Sequence, residues 1–447
     1  MRRQNSFFAS VCTLAIPVAL QSMLQASFSI VDQIMIGQLG SVSVAGVGLA
    51  GKFASIYSVI VSAVGVVAGI MISQYLGQKN SREVRRSFFV NLLISLGLTG
   101  LFTLLCAGFP HQIMGLYTTD APMRQAAASY LFLITGTFLP IAGATLLSTL
   151  LRCMEKAQLP LYASIASALL NTGLNYLLIF GKLGLPAMGA SGAAIATVVS
   201  TWVNFLLMLA MLGKHGAVLK KSGDSTQKPG KFNLRQYLSM LLPILVCEFL
   251  WSLGENIYAA IYGHMGTEAS AAMTLINPIQ ALVIGALCGL SQAASVIIGK
   301  KLGCKEYDDA YRDSWRLIRY GFFGSVILSV LVVVTSPLYV QIYQVDAAVK
   351  LLTRQILTAY ALVAPFKVLN MIAGGGIIRS GGKTNYVMIV DMIGTWIFGV
   401  PLGLLSAFVW KLPIPYVYFI LSLEECVRFA ITVGILRSKR WMQSLEG

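Results

Sequence analysis

Apolar runs long enough to cross a bilayer dominate the chain. They fall at residues 12–37, 46–75, 88–110, 126–151, 160–180, 189–213, 237–262, 268–299, 317–340, 351–378, 386–409 and 415–436. About 20 residues rising 1.5 Å each cover a ~30 Å hydrocarbon core. The pattern therefore predicts twelve transmembrane helices and an all-α polytopic membrane protein. Six runs lie on each side of one polar stretch, 214–235. That stretch reads as a basic cytoplasmic linker between an N-terminal six-helix lobe (1–213) and a C-terminal one (236–447).

The first run also carries polar positions. Gln21, Gln25, Ser29, Asp32 and Gln33 recur mostly at steps of three and four, so they mark one face of a helix. A carboxylate within a bilayer costs about 2.5–3.5 kcal/mol on insertion scales. Asp32 is tolerable if it faces a protein interior or a watery cavity, as a cation or proton site does. The plainer alternative is an acid near a helix end that reaches interfacial water.

Composition narrows the class. Hydrophobic residues make up 56% of the chain and charged ones 11%, well under the roughly 25% of soluble proteins. The net charge of +16 would suit nucleic acid. Its basic residues, however, sit in short connectors with no aromatic-interleaved face, so no nucleic-acid partner is expected. Seven cysteines lie mostly inside apolar runs, without CxxC or histidine spacing. They read as small hydrophobes rather than disulfides or metal ligands. The first run is too long for a signal h-region and no small-x-small site follows it, so it is expected to remain as a span. Gly46, Gly51 and Lys52 fit most of a P-loop, but Phe53 stands where Ser or Thr would be needed, inside an apolar run. With no second nucleotide element an ATP-driven pump is excluded. Without a metal-spaced His/Cys set, an enzyme is not expected.

The connectors orient the chain. Lys and Arg gather in alternate ones: Arg2 and Arg3; Lys79, Arg82, Arg85 and Arg86; Arg152 and Lys156; the 214–235 stretch; Lys300, Lys301 and Lys305; Arg379 and Lys383; Arg437, Lys439 and Arg440. The remaining connectors hold little beyond Arg124, Lys182, Lys350 and Lys411. This alternation predicts both termini in the cytoplasm.

The two halves repeat. Ile16-Pro17 recurs as Leu242-Pro243, and Leu76-Gly77-Gln78-Lys79 as Leu302-Gly303-Cys304-Lys305, both in a register of 226 positions. Arg152 and Lys156 recur as Arg379 and Lys383, one residue later. Each half holds an even number of spans, so both insert the same way up. A pseudo-two-fold axis along the membrane normal then places a central cavity between the lobes.

In this order, within a twelve-span repeat, several stretches resemble the multidrug and toxic-compound extrusion (MATE) transporters. They are Pro17 followed by Val31-Asp32-Gln33-Ile34-Met35-Ile36-Gly37, Leu151-Arg152 with Lys156, Asn171-Thr172-Gly173-Leu174-Asn175-Tyr176, and Ile378-Arg379-Ser380-Gly381-Gly382-Lys383-Thr384. The resemblance covers nearly the whole chain. It implies a V-shaped antiporter in the cytoplasmic (inner) membrane, exporting organic, often cationic, compounds in exchange for inward H⁺ or Na⁺. Its expected partners are small organic substrates and the lipid bilayer. No cofactor beyond the coupling ion is expected, and the protein is expected to act as a monomer.

The resemblance also implies a coupling site of Asp32, Tyr130, Asn171 and Asn175. Asn171 and Asn175 are one helical turn apart and share a face. Amide and hydroxyl oxygens with one carboxylate suit a hard monovalent cation, and equally a protonated acid. Many prokaryotic members carry an acid where this chain has Asn175, so one negative charge is missing here. The plainer reading of the asparagines is interhelical hydrogen bonding, worth about 0.6 kcal/mol each. Gln25, Glu248, Glu255, Asn256 and Asp391 are expected to line the substrate cavity, with Asp391 either facing it or pairing with Lys367. Pro17 removes a helix hydrogen bond and is expected to let the first helix bend. The alternative function is a flippase or exporter of lipid-linked saccharides of a related fold. It would want basic residues in the cavity to hold a pyrophosphate, and Lys52, Lys367 and Arg428 are the candidates within spans.

Overall fold

The computed structural model describes residues 2–39, 41–184, 186–215, 233–343 and 345–445. Most of the 214–235 linker lies outside the described residues. The first half contains α1 (Arg2–Gly37), α2 (Ser41–Gly77), α3 (Ser81–Gly108), a short α4 (Pro110–Gly115), α5 (Ala121–Ile134), α6 (Phe138–Cys153), α7 (Gln158–Phe180) and α8 (Gly189–His215). One 3-10 turn, Thr135–Thr137, joins α5 to α6, and together they make a single span. α2 passes unbroken through Gly46, Gly51 and Lys52, so the P-loop-like glycines lie in helix interior.

The second half contains α9 (Leu234–His264), α10 (Thr267–Gly303), α11 (Tyr307–Gln341), α12 (Ala347–Asn370), α13 (Thr384–Met392), α14 (Val400–Leu404), α15 (Ile414–Ser422) and α16 (Glu424–Ser438). Three π-helical segments interrupt it: Met371–Ile378 continues α12, while Ile393–Gly399 and Leu405–Val409 flank α14. Among the described residues, eleven helical stretches are long and apolar enough to span a membrane. The twelfth expected run, 415–436, is α15 and α16, broken at Leu423 with Glu424, Glu425 and Arg428 just beyond the break. Among the described residues the fold is all-α, and the twelve expected spans are accounted for by eleven unbroken ones and a last one in two pieces.

α11 shows why these helices belong in lipid. Phe323, Ile327, Val334 and Leu338, four or seven residues apart, are exposed, whereas Ser325, Ser329 and Ser336 are buried. That is the inverse of a soluble amphipathic helix. Small hydroxyl residues let neighbouring backbones approach, and large aliphatic ones face outward.

By compactness the chain falls into two units, Leu20–Gly230 and Met1–Ala19 with Lys231–Glu446. α1 starts in the second of these and passes into the first after Ala19. It stays helical through Pro17, which is buried. The Leu20–Gly230 unit is centred on Tyr57, wholly buried, whose ring lies 4.3 Å from that of Phe138. Its hydroxyl donates to the Phe138 carbonyl at 2.7 Å and also meets Thr99 Oγ1 at 2.7 Å. The other unit packs Ala272, Ile276, Ile356, Tyr360, Val417 and Leu421 into one core. There Gly289 lets α10 run against the backbone of α1 at Ala15, which a Cβ would strike.

Candidate functional site

In the Leu20–Gly230 unit, α1 and α7 bring together three of the four expected coupling residues. Asn175 Nδ2 donates to Asp32 Oδ1 at 2.5 Å and to Asn171 Oδ1 at 3.1 Å. Asn171 donates in turn to Ser200 Oγ on α8 at 3.2 Å. Asn175 is wholly buried and Asp32 is half-buried. Both Asn175 amide protons are committed, and its Oδ1 is buried with no hydrogen-bond partner. The reversed amide would aim that oxygen at the carboxylate, so the orientation follows from charge. Tyr130 on α5 is buried and within electrostatic reach of Asp32. The result is a cluster of oxygen atoms that includes a carboxylate and an orphaned acceptor. A buried acceptor without a donor costs about 1–3 kcal/mol, and a cation or a protonated carboxyl would satisfy it.

The rest of the α1 polar face divides. Gln21 is buried, accepting from Arg152 Nη2 at 2.9 Å and donating to Ser164 Oγ at 2.8 Å. Gln25 is exposed.

In the other unit the expected cavity residues separate. Glu248 and Asp391 line one cavity of about 390 Å³ with Cys247, Lys367, Arg379 and Arg428. Glu255 lines a second, of about 250 Å³, with Tyr258, Gln280, Tyr418 and Glu424. Asn256 lines neither of these two cavities; it is exposed and donates back to the Ser252 carbonyl at 2.7 Å. Asp391 does not pair with Lys367. It accepts from Cys247 Sγ at 2.8 Å and lies 3.8 Å from Arg428.

Arg428, which the sequence offers only as a basic residue within a span, is the hub of an ion-pair cluster. It is 6% exposed and pairs with Glu424 at 3.4 Å, Glu425 at 3.7 Å and Asp391 at 3.8 Å. It also donates to Thr395 Oγ1. Tyr258 donates to Glu424 at 2.6 Å, and Asn370 to Glu425 at 2.8 Å. Glycines make the room: a Cβ at Gly394 would overlap the guanidinium, and one at Gly399 would overlap Glu424 and Tyr258. The available signal was an ionisable trio at i, i+1 and i+4 in an apolar run.

The MatE family model matches residues 17–177 and 243–405. The two matches begin at Pro17 and Pro243, the register of the internal repeat. "Uncharacterized transporter YisQ" of Bacillus subtilis (strain 168) is 23% identical over 438 residues, 97% of this chain and 95% of that protein. "Probable multidrug resistance protein NorM" of Pasteurella multocida (strain Pm70) is 25% identical over 404 residues, 87% and 84% of the two chains. A solved structure described as "Crystal structure of MATE in complex with MaL6" superposes with a TM-score of 0.87 at 17% identity, covering 96% of this chain and 95% of that one; it shares the fold. The protein is thus a multi-pass membrane transporter rather than an enzyme, and the chain belongs to the MatE family.

Proposed function

We propose that the protein is a secondary antiporter that exports organic, often cationic, compounds in exchange for inward Na⁺ or H⁺. The similarity to proteins named for multidrug resistance supports the export direction. The observation that carries the coupling is the contact of Asp32 with a wholly buried Asn175 whose own carbonyl oxygen lacks a partner. Asp32 supplies the negative charge. Asn171 and Asn175 supply oxygens and fix the carboxylate, and Tyr130 closes the pocket on the α5 side. An ion bound there shifts the protein between states only by its differential affinity for them. Uptake from outside therefore favours the state that releases substrate if that state holds the ion more tightly. The protein is placed in the cytoplasmic (inner) membrane, acting as a monomer with both termini in the cytoplasm; the alternation of basic connectors supports the orientation. Pro17 gives α1 its bending point. Efflux from proteoliposomes under separately imposed Na⁺ and H⁺ gradients tests the reading. Export that follows one gradient is expected; export indifferent to both would refute it.

The flippase alternative receives less support. Lys367 and Arg428 do line one cavity, together with Arg379, but Glu248, Asp391 and Glu425 line it too and offset them. A pyrophosphate would meet as many acids as bases.

A further inference from the structure

The segment after α16 folds back onto the bundle. Lys439 turns the chain with a left-handed φ of +55°, and Trp441, two residues on, is wholly buried. The indole Nε1 donates to the Leu436 carbonyl at 3.2 Å. The Trp441 carbonyl lies on Gly381, in the α12–α13 connector, so close that a Cβ there would strike it. Leu445 is buried as well. A Cβ built on Gly382 would touch both Leu445 Cδ2, at 3.6 Å, and Met240 Sδ of α9, at 3.5 Å. On its other side Lys439 Nζ sits 3.7 Å from Asp308 and 4.8 Å from the centre of the Tyr311 ring, both in the first turns of α11. One strap, Lys439 to Leu445, thus reaches α9, α11 and the α12–α13 connector.

The internal repeat shows why residue 381 is glycine. Met154 and Glu155 stand where the second half has Gly381 and Gly382, shifted by 227 positions. The two turns match: Glu155 N–H donates to the Arg152 carbonyl at 2.9 Å, and Gly382 N–H to the Arg379 carbonyl at 2.9 Å. Glu155 has φ +64° and Gly382 φ +75°, whereas Gly381 lies outside the left-handed region and its counterpart is a methionine. The backbone of the turn therefore does not call for glycine at 381; the Trp441 carbonyl resting on it does.

The same connector begins at Arg379, which lies 3.6 Å from Cys247 Sγ and 3.8 Å from Glu248 on the wall of the larger cavity. A rearrangement of that corner must carry the strap along or shed it, because so close a backbone contact tolerates little displacement. The tie to α11 parts easily: the Lys439 and Asp308 side chains are 50% and 99% exposed, and exposed pairs hold weakly. We propose that Lys439–Leu445 is a latch. Docked, it holds the α12–α13 connector and the Arg379 corner in one arrangement, and it undocks and redocks in each export cycle. The latch goes beyond the coupling reading and needs only that the protein exports, whichever ion drives it.

The test uses proteoliposomes loaded with ethidium, with Cys304→Ser removing the exposed native thiol. Labelling of Leu445→Cys by N-ethylmaleimide is timed at rest and during gradient-driven export. It is expected to be slow at rest and about tenfold faster during export, the room left by an undocked state populated at about 10% or less. Gly381→Ala, whose Cβ meets the Trp441 carbonyl, is expected to speed labelling already at rest. In Met240→Cys/Leu445→Cys protein, cross-linking by a short bis-methanethiosulfonate should stop most export, and dithiothreitol should restore it, which separates locking from misfolding. Met442→Cys, half-buried on the same strap, takes over as reporter should Leu445→Cys export nothing. Resting labelling unchanged by Gly381→Ala, labelling unmoved by export, or export unmoved by the cross-link overturns the proposal and leaves the strap a fixed anchor. Export itself is read by the gradient experiment above, so a protein that exports with an immobile strap sinks the latch alone.

Discussion

Asn175 donates to Asp32 at 2.5 Å across 143 positions of chain. The contact joins α1 to α7 and holds the Asp32 carboxylate against a buried amide. Asp32→Asn keeps size and removes the charge. It is expected to abolish coupled export from proteoliposomes while the protein remains inserted and monodisperse. Normal export by well-expressed Asp32→Asn protein would sink the assignment.

Asn171→Ala and Asn175→Ala each take away an oxygen and a hydrogen bond. A loss of about 1–3 kcal/mol in ion affinity is expected, read as a shift in the Na⁺ or proton concentration that half-drives export. Glu248→Gln and Glu255→Gln, on the cavity walls of the other unit, are expected instead to change which substrates are carried. Should the glutamate variants move the ion dependence and the asparagine variants not, coupling belongs to the C-terminal half.

Removing the hub should unfold more than it silences. Arg428→Gln leaves Glu424, Glu425 and Asp391 without their shared cation, and breaking a buried pair in this way costs about 3–5 kcal/mol. A clear drop in the thermal midpoint in detergent is expected. Adding Glu424→Gln to that variant should restore part of it, since one uncompensated charge disappears. An unchanged midpoint in the single variant would show that the ion pairs contribute nothing.

Gly399→Ala sets a methyl group against Glu424 and Tyr258. Overpacking of this kind costs about 1–3 kcal/mol. Gly97→Ala, where a Cβ meets nothing within 4 Å, is the control expected to be silent. Equal thermal midpoints for the two would contradict the packing described.

Cys304, exposed between α10 and α11, sits in a connector rich in basic residues. A membrane-impermeant maleimide should label it in inside-out vesicles and not in right-side-out ones, with Cys304→Ser as the background. The reverse pattern overturns the orientation of both termini.

Much of this was legible in the sequence, and the reason is the solvent. In a bilayer the backbone must satisfy itself within each segment, so hydropathy alone marked the spans. The repeat was equally plain because Pro17 and Pro243 punctuate equivalent helices. Asn171 and Asn175 were readable as a pair from their four-residue spacing. The Arg428 cluster was not. Three charges within five residues look like the watery end of a helix, and nothing local reveals that Tyr258, 166 positions away, and Asp391 meet them. The sequence leaves Asp391 between facing the cavity and pairing with Lys367, and only packing sets it on the cavity wall beside Arg428.

The three π segments have a consequence in time. A π turn carries one residue more than an α turn, with a poorer hydrogen-bond ladder. Met371–Ile378 supplies Met371, Gly374, Gly375 and Ile378 to the larger cavity wall, and Ile393–Gly399 supplies the Thr395 that Arg428 grips. Local opening is easiest where the ladder is weakest. Amide hydrogens in these two stretches should therefore exchange with deuterium before those of the uninterrupted α11. The wall of the cavity breathes first, while the helix beside it keeps its shape.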